Sequence, residues 1–138
     1  ALFCGTLDCC KHPSYQDLEG LRVSSHFFID RSGRLFQYVS CLDRAWHAGV
    51  SSYEGRENCN DFSIGVELEG TDSAPYEQAQ YETLGRLTDA LAEAYPIKYV
   101  TGHSMIAPLR KTDPGPAFDW LTYESLCTTG KPLCFPYV

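Results

Sequence analysis

No stretch of the 138 residues approaches the roughly 18 uninterrupted apolar positions of a membrane span, and the first residues lack the basic, apolar, small-residue order of a signal peptide. Both absences point to a soluble chain without a membrane partner. Positive charge is also scarce. Eleven Lys and Arg stand against 18 Asp and Glu, a net charge of −7 that repels a phosphate backbone and argues against nucleic-acid binding. No CxxC occurs among Cys4, Cys9, Cys10, Cys41, Cys59, Cys127 and Cys134, so neither a zinc knuckle nor a thioredoxin-type redox site has support in the spacing. Seven is an odd count, and reduced thiols in a cytoplasmic protein are the favoured reading. The cluster Cys4, Cys9, Cys10 and the pair Cys127, Cys134 keep disulfides as the alternative. Repeats and low-complexity tracts are absent too. What is present suffices for one core: 43% hydrophobic and 13% aromatic residues can fill it, and two independent cores would not fit in this length.

Residues 1–20 show no sustained period and are broken by His12-Pro13. Residues 21–30 alternate, with Leu21, Val23, Ser25, Phe27 and Ile29 on one face and Arg22, Ser24, His26 and Phe28 on the other, the pattern of a strand. Arg31-Ser32-Gly33-Arg34 is a turn signal, and residues 35–40 complete an expected hairpin. Residues 43–62 read as a long polar loop. Residues 63–70 alternate more cleanly, placing Ile64, Val66 and Leu68 on one face and Glu67 and Glu69 on the other. Pro75 suits the first turn of an amphipathic helix carried by Tyr81, Leu84, Leu87, Thr88, Leu91, Ala94 and Tyr95 and ended by Pro96. Residues 98–101 read as a short strand, Gly102-His103 as a loop, and the proline-rich residues 111–116 as irregular. Strands, a helix and a further strand in one core predict an α/β fold, a single central mixed sheet flanked by helices.

Several side chains could carry chemistry. Glu67 and Glu69, two apart on a strand, emerge on one side roughly 6 to 7 Å apart. They suit a solvated strand face or an acid and base pair, and taken alone the pair suggests a glycosidase. Pro114 holds Asp113 extended, so Lys111 and Asp113 project to similar sides and offer an ammonium and a carboxylate to one site. His103 follows Gly102 at an expected strand end, where functional side chains collect in α/β sheets. His103 and Asp113 are legitimate zinc donors, although their ten-residue separation is no compact ligand motif. His26 reads first as a hydrogen-bonded structural histidine. Trp46 could stack on a sugar or fill a core.

Three stretches together resemble a known family. Residues 44–51 (Arg-Ala-Trp-His-Ala-Gly-Val-Ser), residues 59–72 (Cys-Asn-Asp-Phe-Ser-Ile-Gly-Val-Glu-Leu-Glu-Gly-Thr-Asp), and Thr101-Gly102-His103 followed by residues 111–120 (Lys-Thr-Asp-Pro-Gly-Pro-Ala-Phe-Asp-Trp) are similar in order and spacing to the AmpD-type N-acetylmuramoyl-L-alanine amidases. These are zinc enzymes of the amidase_2 and peptidoglycan-recognition-protein fold. The resemblance runs over residues 1–120, which it implies to be the amidase domain, and leaves residues 121–138 as a tail outside it. It implies hydrolysis of the amide between the lactyl group of 1,6-anhydro-N-acetylmuramic acid and L-alanine of the stem peptide. The implied setting is cytoplasmic peptidoglycan recycling, with a small muropeptide as partner.

By position, the resemblance implies His103 and Asp113 as zinc ligands, Glu67 as the catalytic glutamate and Lys111 as the catalytic lysine. Arg22, Trp46 and Ala107 match parts of the substrate groove, and Glu69 is left as a supporting charge. One departure stands out. The family's first zinc ligand is a histidine on a strand upstream of the region where residue 1 falls, and no such segment lies within these 138 residues. His12, His26 and His47 match non-ligand histidines. A metal-free muropeptide-binding module is therefore the alternative expectation, since catalytic zinc normally takes three protein ligands.

Overall fold

The structure, a computed structural model, describes residues 25–136 other than 47, 49, 54, 72 and 73. The first part of the expected strand, residues 21–24, lies outside the described residues. The chain divides into two compact units. One comprises Leu35–Glu69 with the described part of Ala1–Ile29, the other Asp30–Arg34 with Gly70–Val138.

The first unit is built on a mixed three-stranded sheet. Strand β1 (Phe27–Ile29) pairs antiparallel with β2 (Leu35–Gln37) and parallel with β5 (Val66–Leu68), in the order β2-β1-β5. The alternation works as the pleat requires: Phe27 and Ile29 are buried, and Phe28 packs across the strand pair on Phe36 at 6.1 Å and on Tyr38 at 6.4 Å. The expected polar face is not solvated at its start, because His26 is fully buried. Its Nδ1 accepts the Gly65 N–H at 3.0 Å, which leaves Nε2 to donate to the Asp43 carbonyl at 2.8 Å. One neutral tautomer satisfies both main-chain groups, so the histidine is structural as expected.

Two corrections belong to this unit. The expected loop of residues 43–62 contains a small second sheet, the hairpin of β3 (Ser52–Tyr53) and β4 (Arg56–Glu57), and a 3-10 turn, Cys59–Asp61. Two-residue strands are too short to display a period of two. Strand β2 is also shorter than the expected 35–40, ending at Gln37.

In the second unit the turn Asp30–Arg34 is closed by the Asp30 carboxylate, which accepts the Ser32 N–H, the Arg34 N–H and the Ser32 hydroxyl. Gly33 sits at φ 86° with its carbonyl accepting the Thr83 hydroxyl at 2.6 Å. A Cβ there would lie 2.7 Å from the Ala79 carbonyl oxygen, so no larger residue fits. Helix α1 (Gln78–Ala94) begins after the expected position: Pro75 precedes it by three residues, and Gln80 Oε1 caps the Glu77 N–H at 2.9 Å. It stops before Pro96, with Tyr95 extended as the residue before a proline must be. Its buried stripe holds Tyr81, Leu84, Leu87 and Thr88 as expected, then Ala92 rather than Ala94, which is exposed.

Residues 98–101 form no strand. Only an isolated parallel bridge joins Tyr99 to Cys134. Nor is the C-terminal stretch featureless. Helix α3 (Trp120–Leu126) is capped by the Asp119 carboxylate, which accepts the Leu121 and Thr122 N–H groups, and it buries Tyr123. The Thr88 hydroxyl donates to the Leu84 carbonyl and so receives the Tyr123 phenol proton, at 2.6 Å. Phe118 centres an aromatic cluster with Tyr76, Tyr81, Trp120 and Tyr123, at 5.6, 5.3, 4.8 and 5.9 Å. Cys127 and Cys134 are both free thiols, so the tail disulfide is not formed. Burial, with the charges of Asp89 and Glu124, pushes the Cys127 thiol up to about 11 and keeps it protonated at neutral pH. No helix among the described residues is long and apolar enough to cross a membrane.

The segment after α3 is fastened to α1 by Asp89, which accepts the Thr128 N–H, the Thr129 N–H and the Thr128 hydroxyl. Burial raises this carboxyl, but the hydrogen bonds to Thr128 and Thr129 outweigh it and hold the pKa below its ordinary value. A depressed folded pKa gives stability that is complete above the unfolded value of roughly 3.9 and is lost as pH falls through the folded one. Amide exchange at Thr128 and Thr129 should therefore quicken as pH drops below about 4 relative to the intrinsic rate, and Asp89→Asn should remove that acid dependence. Protection that holds steady from about pH 5 to about pH 2 in the unsubstituted protein would contradict this.

Candidate active site

Gly102 is extended, at φ −103° and ψ 158°, and His103 opens the four-residue helix α2 (His103–Ile106), where the sequence suggested a loop. Ten residues on, the chain returns. The Ser104 N–H donates to the Asp113 carbonyl at 2.8 Å, binding the two segments through their main chains. This brings His103 Nδ1 to 3.3 Å from Asp113 Oδ2, the histidine nearly buried at 12% side-chain exposure and the aspartate at 43%. Burial works to raise the Asp113 pKa, but the hydrogen bond and charge of His103, its own backbone N–H and the Lys111 ammonium together hold it below the usual aspartate value. The carboxylate is thus the resting form near neutrality.

The pair fits a metal. Ligands at about 2.0 to 2.2 Å around a tetrahedral zinc stand about 3.4 Å from one another, and imidazole nitrogen with carboxylate oxygen is a normal zinc donor set. Among the described residues no three His, Cys, Asp or Glu side chains gather closely enough to hold an ion by themselves.

Lys111 is half-buried, and its N–H donates to the Ala107 carbonyl at 2.9 Å, a carbonyl that also takes the Arg110 N–H at 3.0 Å. Ala107 itself is buried just after α2, so its carbonyl anchors the turn that leads to Lys111. Glu67 lies at the centre of β5 in the first unit, in register with Phe28, and is half-buried. Glu69 follows the strand and is exposed. The two carboxylates therefore occupy different environments, unlike an evenly solvated pair. Trp46 is 51% exposed, with the Arg44 guanidinium 4.1 Å from its ring centroid. Arg22 lies outside the described residues.

Residues that pattern reading passed over also shape the site. The Tyr76 hydroxyl donates to the Pro114 carbonyl at 3.0 Å, beside Asp113. Tyr76 precedes α1 and belongs to no periodic set, so nothing in the sequence singles it out.

A family model described as N-acetylmuramoyl-L-alanine amidase matches residues 2–116. The chain is 56% identical over 130 residues to the 1,6-anhydro-N-acetylmuramyl-L-alanine amidase AmpD of Citrobacter freundii, covering 93% of this chain and 70% of that protein. It is 57% identical over 128 residues to AmpD of Escherichia coli K12, covering 91% and 70%. Among solved structures, a selenomethionine AmpD derivative superposes with a TM-score of 0.78 at 55% identity, over 93% of this chain and 73% of that one. The Escherichia coli amidase AmiD, in complex with anhydro-N-acetylmuramic acid-L-Ala-D-gamma-Glu-L-Lys, gives 0.75 at 33% identity, over 94% and 56%.

His26 is the histidine of the described set that has a fully internal explanation. His26→Ala should lower the urea midpoint by the equivalent of about 2 to 4 kcal/mol, leaving the Gly65 N–H and Asp43 carbonyl unpaired, while leaving metal content unchanged. Loss of metal in a variant that stays folded would show that His26 had been misread.

Proposed function

The chain belongs to the N-acetylmuramoyl-L-alanine amidase family, and from that premise we propose that it hydrolyses the amide joining the lactyl group of 1,6-anhydro-N-acetylmuramic acid to L-alanine of the stem peptide. The reaction is a zinc-dependent step of peptidoglycan recycling, carried out in the cytoplasm on small muropeptides. The observation that carries the zinc reading is the 3.3 Å approach of His103 to Asp113. Relatives solved with anhydromuramic peptides support the substrate class.

His103 and Asp113 would hold the ion. When bound, zinc lowers the pKa of a coordinated water to about 7 and polarises the scissile carbonyl. The chain's own groups supply the rest. Glu67, matched to the family's catalytic glutamate, accepts the proton of the attacking water and passes it to the leaving L-alanine amine, so that the amine departs neutral. Lys111 offers its ammonium to the oxyanion that forms as the carbonyl carbon becomes tetrahedral. Its charge lowers the Asp113 pKa, which supports this reading. Arg22 suits a stem-peptide carboxylate, Trp46 suits an apolar sugar face, and Ala107 matches a position of the family's substrate groove.

Free peptide released from anhydro-muropeptide, identified by mass spectrometry with zinc supplied, is the direct test. Zinc content after dialysis separates the enzyme, with about one ion per chain, from a metal-free muropeptide binder. His103→Ala should abolish metal retention, and unchanged stoichiometry would remove it from the ligand set. Glu67→Gln should retain zinc while turnover falls by about 10²- to 10⁴-fold. Lys111→Ala should lower kcat by about 10²- to 10³-fold, and near-normal turnover in either variant would take away the role given to that residue.

A further inference from the structure

Pro114 is held by two residues outside the set assigned to substrate and ion, Tyr76 and Gly102. The Tyr76 hydroxyl donates to its carbonyl at 3.0 Å, and the Tyr76 ring meets Phe118 edge-on, 5.6 Å between centroids. Gly102 approaches it so closely that a Cβ built on the glycine would lie 2.7 Å from Pro114 Cδ and 3.3 Å from Trp120 Cζ2. Gly102 is bonded to His103 and Pro114 to Asp113, so this contact lies one residue from each member of the metal-binding pair. The Ser104 to Asp113 main-chain hydrogen bond closes the same arrangement.

We propose that Tyr76 and Gly102 are positioning residues that set the separation of His103 and Asp113 by fixing Pro114 between them; the proposal rests on the zinc reading of that pair. A missing methyl at residue 102 lets the proline come close, and the phenol at residue 76 keeps its carbonyl from rotating away. Ligand geometry is exacting: supporting groups outside the ligand set commonly govern 10- to 100-fold in metal affinity.

The test uses the full-length, zinc-loaded protein and competition with a chromophoric chelator. Tyr76→Phe deletes one hydroxyl and keeps the ring on Phe118; Gly102→Ala displaces the proline directly. Each should weaken zinc binding by about 10- to 100-fold and shift the visible absorption of the cobalt-substituted protein. Tyr81→Phe serves as the comparison, because its phenol belongs to the same aromatic cluster but accepts the Asp119 N–H at 2.8 Å. It should leave zinc affinity within about twofold. A purely structural role for Tyr76 predicts equal effects of the two tyrosine variants, and that result would overturn the proposal. So would Tyr76→Phe with unaltered affinity beside an unsubstituted protein that holds zinc tightly. An unsubstituted protein that holds no zinc would instead overturn the metal reading itself, and this inference with it.

Discussion

One main-chain hydrogen bond, from the Ser104 amide to the Asp113 carbonyl, joins the two segments that carry His103 and Asp113. Such a bond contributes only about 1 kcal/mol net, too little to define a site. The remainder comes from packing. Pro114 lies against Gly102, and Phe118, four residues further on, sits buried among four aromatic rings. Truncating a buried phenylalanine of this kind typically costs about 3 to 5 kcal/mol. The second unit's hydrophobic core and the contact of His103 with Asp113 are thus held by the same short stretch of chain, residues 113–120.

The carboxylates of the first unit show a different logic. Glu67 and Glu69 share one face of the chain, yet only Glu67 lies within a strand and is shielded, while Glu69 stands beyond the strand end in water. His26 shows how buried polarity can serve the fold alone: both ring nitrogens are used on main-chain groups, and a histidine so committed has no lone pair left for an ion.

Much of this was legible in the residues. The periodic segments β1 and α1 announced themselves because each has one buried face, β5 through its alternation although all three of its residues are only half-buried, and the turn at Gly33 through a glycine at a positive φ. The meeting of His103 and Asp113 was not legible in spacing, since the two come together only after a ten-residue excursion that no local pattern encodes. Elements whose stability comes from elsewhere stayed hidden. β3 and β4 hold two residues each, residues 98–101 form a single bridge instead of a strand, and α3 is short and marked chiefly by its Asp119 cap. Tyr76 and Gly102 matter through what they touch, which only the folded chain reveals.

The bridge between Tyr99 and Cys134, with hydrogen bonds from Val100 to Cys134 and from Cys134 to Lys98, has a consequence for biosynthesis. A nascent chain emerges in order, and the partner of residues 98–100 is made more than thirty residues after them. The strip ahead of His103 must therefore wait, its main-chain groups on water, until residues 128–135 have cleared the ribosome. Only then can the second unit acquire the tie between residues 98–100 and Cys134.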